Sequence, residues 1–266
     1  VITNPFIIFL MSFLEWISYH SADHLVALSP GIAKGIKKRG IKSENITLIP
    51  NGCDIEIFGD PSKPWGPAEI DDRDFLARCT GTHGVANGLN SVLDAAVELK
   101  GRGRKDIKIL LIGNGKLKPS LMDQVNKEDI DNIIFHDPVD KKSLSGLISS
   151  ANLGLQTLSN VPAFYYGTSP NKFFDYIAGG LPVLNNYPGW IADIITETNS
   201  GYVVPPEDPK AFADILEEAA SNHEDLLFKS KNAKKIAIEK FNRKNQSLNW
   251  VMVLEKIYNE TKAKIN

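Results

Sequence analysis

From residue 25 onward, short apolar runs alternate with stretches whose apolar positions recur at helical spacing. The strand-like runs are HLVALS (24–29), ITLIP (46–50), FLARCTG (75–81), IKILLIG (107–113), NIIFHD (132–137), LGLQTL (153–158), LPVLNN (181–186) and GYVVP (201–205). Several are almost continuously apolar, as parallel strands covered on both faces are. Helices are expected between them over 31–39, 88–100, 116–126, 140–150, 171–179, 189–197 and 208–221. A further helical pattern fills 224–264, with a break at NRKNQS. This alternation predicts an α/β fold built on a doubly wound, Rossmann-like parallel sheet.

One stretch interrupts the rhythm. Residues 54–73, DIEIFGDPSKPWGPAEIDDR, are rich in Pro, Gly and Asp and aperiodic, which reads as a linker. The helix, strand, helix and strand before it are too little for a domain. The strand candidates after it, within 74–222, suffice for a complete one. The expected division is a remnant of one α/β domain over 1–58, a whole domain over 59–222 and C-terminal helices over 223–266.

The 266 residues are 42% hydrophobic and 23% charged, with net charge −2, an ordinary globular composition. Near-neutrality offers no case for nucleic-acid binding. Cys53 and Cys79 lack CxxC or histidine spacing and read as reduced core residues of a cytoplasmic protein. The chain starts at Val1, so a fragment or a trimmed chain is expected. Near the start, a helix is expected over 5–22, whose apolar run Phe6–Leu14 is too short to span a bilayer at about 20 residues per crossing. It reads as a helix that packs on something outside this chain. Peripheral contact at a membrane surface is the weaker alternative, because no lysine or arginine flanks the run.

Ligands of open parallel sheets bind beyond the carboxyl ends of the strands, and three loops there have suitable residues. In TGTHGVANG (80–88), the glycines Gly81 and Gly84 allow close backbone approach to phosphate oxygens, beside Thr82 and His83. IGNGKL (112–117) brings Asn114 and places Lys116 at a helix start, where a cation is unfavourable unless an anion sits nearby. The third is YGTSPNKFFDYIA (166–178). It reads either as an ordinary capped helix, with Ser169 or Asn171 as the cap, or as an anion site with Lys172 and Asp175 on one helix face. A cation for phosphates and a carboxylate for a ribose diol together suit a nucleoside diphosphate sugar.

ADHLVALSPGIAKGIKKRGIKSENITLIPNGCDIEIF (22–58), YGTSPNKFFDYIAGGLPVL (166–184) and NSGYVVPPEDPKAFADIL (199–216) resemble, in order, segments of the family-four GT-B glycosyltransferases. Within that family the chain is most similar to enzymes that assemble bacterial surface polysaccharides, among them amino-sugar transferases. The resemblance implies a GT-B C-terminal domain that binds a nucleoside diphosphate sugar, expected to be a UDP-sugar. It implies transfer with retention to a glycan or polyprenyl-linked acceptor, with no metal or other cofactor and a position in the cytoplasm or at the inner membrane. The family's Glu-(x)7-Glu motif falls on Gly167 and Asp175. Asp175 would hold the ribose, and the backbone of Gly167, Thr168, Ser169, Pro170 and Asn171 would meet the sugar. Val139 is a further donor-binding position. The usual Arg and Lys of the first loop fall on Thr82 and Asn87, which leaves Lys172 as the compensating cation. The acceptor domain is almost absent, so a missing N-terminal half, or self-association, is expected.

Two other readings stay open. A GT-B sugar-nucleotide epimerase shares the fold, but it needs acid/base carboxylates from both domains, and the PNGCD hinge argues against it. A non-catalytic nucleotide-binding or assembly module is the second.

Overall fold

The computed structural model describes residues 3–265. Helix α1 (Pro5–His20) is followed by strand β1 (Leu25–Ala27), α2 (Pro30–Lys38) and β2 (Ile46–Leu48). β1 and β2 pair in parallel as a separate two-stranded sheet. A one-turn helix, α3 (Ile55–Phe58), opens the next segment. Then come β3 (Phe75–Thr80), α4 (Asn90–Gly101), β4 (Ile107–Ile112), α5 (Lys118–Lys127), β5 (Ile133–His136), α6 (Lys141–Ser149) and β6 (Leu153–Gln156). The chain continues through α7 (Pro162–Gly167), α8 (Asn171–Ala178), β7 (Val183–Asn185), α9 (Trp190–Thr198), β8 (Gly201–Val203) and α10 (Pro209–Ser221). It ends with α11 (His223–Glu239) and α12 (Arg243–Ile265).

The second sheet is wholly parallel, in the order β5-β4-β3-β6-β7-β8. Chain order reverses between β3 and β6, so the ligand crevice of a doubly wound sheet belongs at the carboxyl ends of these two strands. Helices α4 and α10 cover one face, packing Leu93, Leu99, Phe212 and Leu216 on Ala77, Ile109 and Leu155. The other face holds Phe173, Phe174 and Ile177 of α8 with Ile191 of α9 and Ile236 of α11. Coverage on both faces is why the strands read as apolar runs and not as alternation.

Helix α8 is seated by one close approach. The Tyr176 ring lies against Gly154 of β6, where a Cβ would fall 2.5 Å from the ring. Its hydroxyl reaches β3, accepting the Thr80 N–H at 2.8 Å. A phenol buried with such a partner keeps its packing gain without an orphaned polar atom.

The structure departs from the sequence reading in four places. Helix α7 was not expected, because PAFYYG is too short to show periodicity. Residues 54–73 are not a free linker: Phe58 is buried in the α8–α11 core, and Trp65 Nε1 donates to the Ser143 carbonyl at 2.9 Å. Pro-rich, aperiodic sequence reports missing helix and strand, not missing contacts. No packing boundary falls at 222, since Leu226, Ala233 and Ala237 of α11 belong to the two cores of the six-stranded body. The C-terminal helical break lies at 240–242, where the Cys53 N–H binds the Phe241 carbonyl.

Helix α1 buries none of its residues. Phe6 is 71% and Phe9 68% exposed, and the Glu15–Arg39 ion pair at 2.6 Å ties the helix to α2. No helix among the described residues is long and apolar enough to cross a membrane. An apolar surface this continuous exceeds what monomers usually leave in water. The 266-residue chain is therefore expected to self-associate or bind detergent in light scattering, and deleting residues 1–20 should give a monomer. An intact chain that is monomeric and indifferent to detergent would refute this.

Candidate functional site

The loops after β3 and β4 are laced together beyond the sheet. Gly81 N–H binds the Ile112 carbonyl and His83 N–H binds the Asn114 carbonyl, each at 2.9 Å, so the β3–β4 ladder continues past the last strand residues. Gly113 sits at φ +149, against the Gly81 carbonyl. Only glycine brings two backbones this close in that conformation.

Above these loops lies a cavity of about 400 Å³. Its lining combines Thr80, Gly81 and Thr82 at the end of β3, Gly113 and Asn114 after β4, the apolar Pro138, Val139 and Leu144, and Asn171, Lys172 and Asp175 of α8. It stands at the switch point of the sheet.

Lys172 reaches over the sheet edge, its Nζ 3.4 Å from the Thr157 carbonyl and 3.8 Å from Cys79 Sγ. It has no ion-pair partner among the described residues. Asp175, one turn on, has no hydrogen-bond partner among them either. Burial pushes the Asp175 carboxyl up to about 6; the nearby positive charges of Lys141 and Arg243 oppose this, and the negative charge of Asp54 adds to it. An uncompensated carboxylate at a cavity wall is a poor stabiliser and a ready hydrogen-bond acceptor.

Those three charges form their own cluster behind α8. Asp54, from the hinge, receives Lys141 Nζ at 2.6 Å and the Arg243 guanidinium. Burial alone would raise Asp54, but the hydrogen bonds from these two cations hold it below the usual carboxylate range. The hinge, α6 and α12 thus set the field in which Asp175 titrates.

The cavity gathers Gly81, Thr82, Asn114, Val139, Asn171, Lys172 and Asp175. The other expected residues go elsewhere. His83 is 2% exposed and stacks edge-on against Phe135, and neither ring nitrogen has a partner among the described residues. Burial, and then the charges of Lys118 and Lys172, push its pKa down, which disfavours the charged imidazolium there. Gly84 is not part of the lining. Lys116 is exposed in the turn before α5. The first residue of that helix is Lys118, whose charge is spent on Asp137 at 2.6 Å and on the Gly113 carbonyl.

Gly167, Thr168, Ser169 and Pro170 also lie off the lining. Neither Ser169 nor Asn171 caps α8: Pro170 holds the cap position and no side chain bonds there. Ser169 is instead held by the hinge, its Oγ accepting the Asn51 N–H at 3.2 Å and its carbonyl the Asn51 amide at 2.6 Å. A partner 118 positions away has no local signal in the sequence.

Two features escaped sequence reading. Arg78 in β3 is fully buried, with one hydrogen bond to Ser150 at the far end of α6, and burial lowers its pKa to about 9. It points to the amino edge of the sheet, away from the cavity. A larger groove of about 720 Å³ runs between residues 53–57 and the start of α12, but it lies off the strand ends and its Asp54 and Arg243 neutralise each other.

Solved structures share this architecture. HepE of Anabaena, in complex with UDP-glucose, aligns with TM-score 0.72 at 16% identity over 88% of this chain and 64% of its own. Sucrose-phosphate synthase from Thermosynechococcus elongatus aligns with TM-score 0.77 at 18% identity, over 93% of this chain and 61% of its own. WaaG, a glycosyltransferase involved in lipopolysaccharide biosynthesis, aligns with TM-score 0.66 at 17% identity, over 84% of this chain and 61% of its own. The chain thus spans less than two thirds of each of these structures. No curated protein sequence matches it. The family model described as "Glycosyl transferases group 1" matches residues 75–222, which hold the six-stranded sheet and its cavity. With more than half of its length matched in this way, the chain belongs to the glycosyl transferases group 1 family and has the GT-B architecture.

Proposed function

We propose that this chain is the donor-binding part of a retaining glycosyltransferase that uses a UDP-sugar and builds a surface glycan on a lipid-linked or polysaccharide acceptor. The observation that carries the reading is the pairing, in the lining of the switch-point cavity, of Lys172, which has no ion-pair partner among the described residues, and Asp175, whose carboxyl has no hydrogen-bond partner among them. A lysine there neutralises diphosphate oxygens, and a carboxylate one turn on accepts two ribose hydroxyls. The base lies along the apolar side at Pro138 and Val139. The UDP-glucose complex of HepE supports a uridine donor, and WaaG, with the same fold, supports the surface-glycan setting. Retention follows from an acceptor hydroxyl attacking the anomeric carbon on the face the diphosphate leaves. That hydroxyl, and the groups that orient it, would come from an acceptor half.

Calorimetric titration with UDP, GDP, ADP and uridine tests the reading. UDP should bind most tightly. Lys172→Ala should weaken UDP by about tenfold, the range of one charge-assisted contact, and leave uridine unchanged. Equal losses for UDP and uridine would return Lys172 to a structural role.

A further inference from the structure

A second cavity, of about 470 Å³, opens on the same carboxyl edge, on the α4 side of the β3 loop. The two cavities share no lining residue. Ser159 N–H binds the Ala86 carbonyl at 3.0 Å and Thr157 Oγ1 donates to the Asn87 carbonyl at 2.8 Å, fastening the β3 loop to the β6 loop. The floor is held by Asn186, 2% exposed, which accepts the Leu158 N–H at 2.9 Å and donates to Ser91 Oγ at 3.0 Å.

The lining differs in chemistry from that of the first cavity. It contains Asp94 and Glu207, the amide of Asn160 and the hydroxyl of Ser91, with Val85 and Leu158 as apolar patches, and it has no lysine or arginine among the described residues. Two carboxylates with no cation repel phosphate. Carboxylates accept from neighbouring hydroxyls, a planar amide both accepts and donates, and the apolar patches suit the C–H face of a ring. Asn160 Nδ2 already donates to Glu207 Oε2 at 2.9 Å, so the polar rim is oriented before any ligand arrives.

We propose that this cavity binds an uncharged sugar ring of a glycan. Its role as an acceptor-side subsite rests on the glycosyltransferase reading above, whereas its ligand class does not. It opens at the carboxyl ends of the same sheet as the donor cavity, on the other side of the β3 loop.

Saturation-transfer NMR with maltose, cellobiose and chitobiose tests this on the full chain, with and without saturating UDP. At least one disaccharide should give signals that persist under saturating UDP and fall about fivefold in Asn160→Ala, the loss of one or two hydrogen bonds. Val85 is 73% exposed, so Val85→Arg leaves the fold alone; it should shift preference from glucose to glucose 6-phosphate. Absence of signal for all three sugars, signals displaced by UDP, or signals unmoved by both substitutions would overturn the proposal. Failure of UDP to bind would instead count against the donor-site reading, and the sugar signals would still be read without it.

Discussion

Asp175→Ala is expected to weaken UDP binding by about 1.5–3 kcal/mol, as for hydrogen bonds to a charged group, while making the unliganded protein more stable at neutral pH. Both effects come from one fact: the carboxyl lacks a partner in the free protein. Its folded pKa of about 6 stands above the ordinary 3.8 of an aspartate. A raised pKa means that its contribution to stability is fully present below 3.8 and is lost as pH rises through about 6. At pH 7 the charged group costs the fold on the order of 2–3 kcal/mol. Asp175→Asn should therefore gain melting temperature over wild type at pH 7 and little at pH 4. Binding runs the opposite way, because two ribose hydroxyls need the ionised form. Uridine should bind wild type about tenfold more weakly at pH 5 than at pH 7, and with no such slope in the Asn variant. Uridine is the better probe, since a terminal phosphate titrates in the same range. Equal slopes in both proteins, or a melting gain that does not grow with pH, would remove Asp175 from the ribose-binding role.

The second large effect concerns backbone. Gly113→Ala should destabilise the fold by about 3 kcal/mol or more and abolish nucleotide binding. A Cβ at this position overlaps the Gly81 carbonyl, and the φ of +149 is one that alanine rarely adopts. The carbonyl cannot retreat, since its own loop is bonded to Ile112 and Asn114. Gly35→Ala is the matched control. It lies in α2 with nothing near its Cβ position, and there the change should stabilise by about 0.5–1 kcal/mol. A Gly113→Ala protein that melts with wild type and still binds UDP would show that the two loops are not interlocked.

The order of strands and helices is legible in the sequence because both periodicities are local. Each strand run, from FLARCTG to GYVVP, contains an observed strand, and each helix expected between them is present within a few residues. The glycine loops after β3 and β4 were visible too, since a turn that needs positive φ leaves few choices of residue. What the sequence reading missed depends on partners distant in the chain. Ser169 looked like a cap because serine before a helix usually is one, but Asn51 takes it. Lys116 looked like the phosphate lysine of its loop, yet it is Lys118 that opens α5. His83, in the first glycine loop, read as a candidate phosphate contact and is instead packed against Phe135 of β5.

By itself the sequence determined an α/β chain with a parallel sheet, glycine loops at strand ends, and a Lys172–Asp175 pair on one helix face, because spacing of three along a helix is fixed by its geometry. Only the tertiary structure decided that this face lines a cavity, that Asp175 stands there with its charge uncompensated, and that Asp54, Lys141 and Arg243 shape its titration. The physical reason is that burial and electrostatic fields are sums over neighbours in space. Those neighbours come from the hinge, α6 and α12, separated by up to 189 positions along the chain.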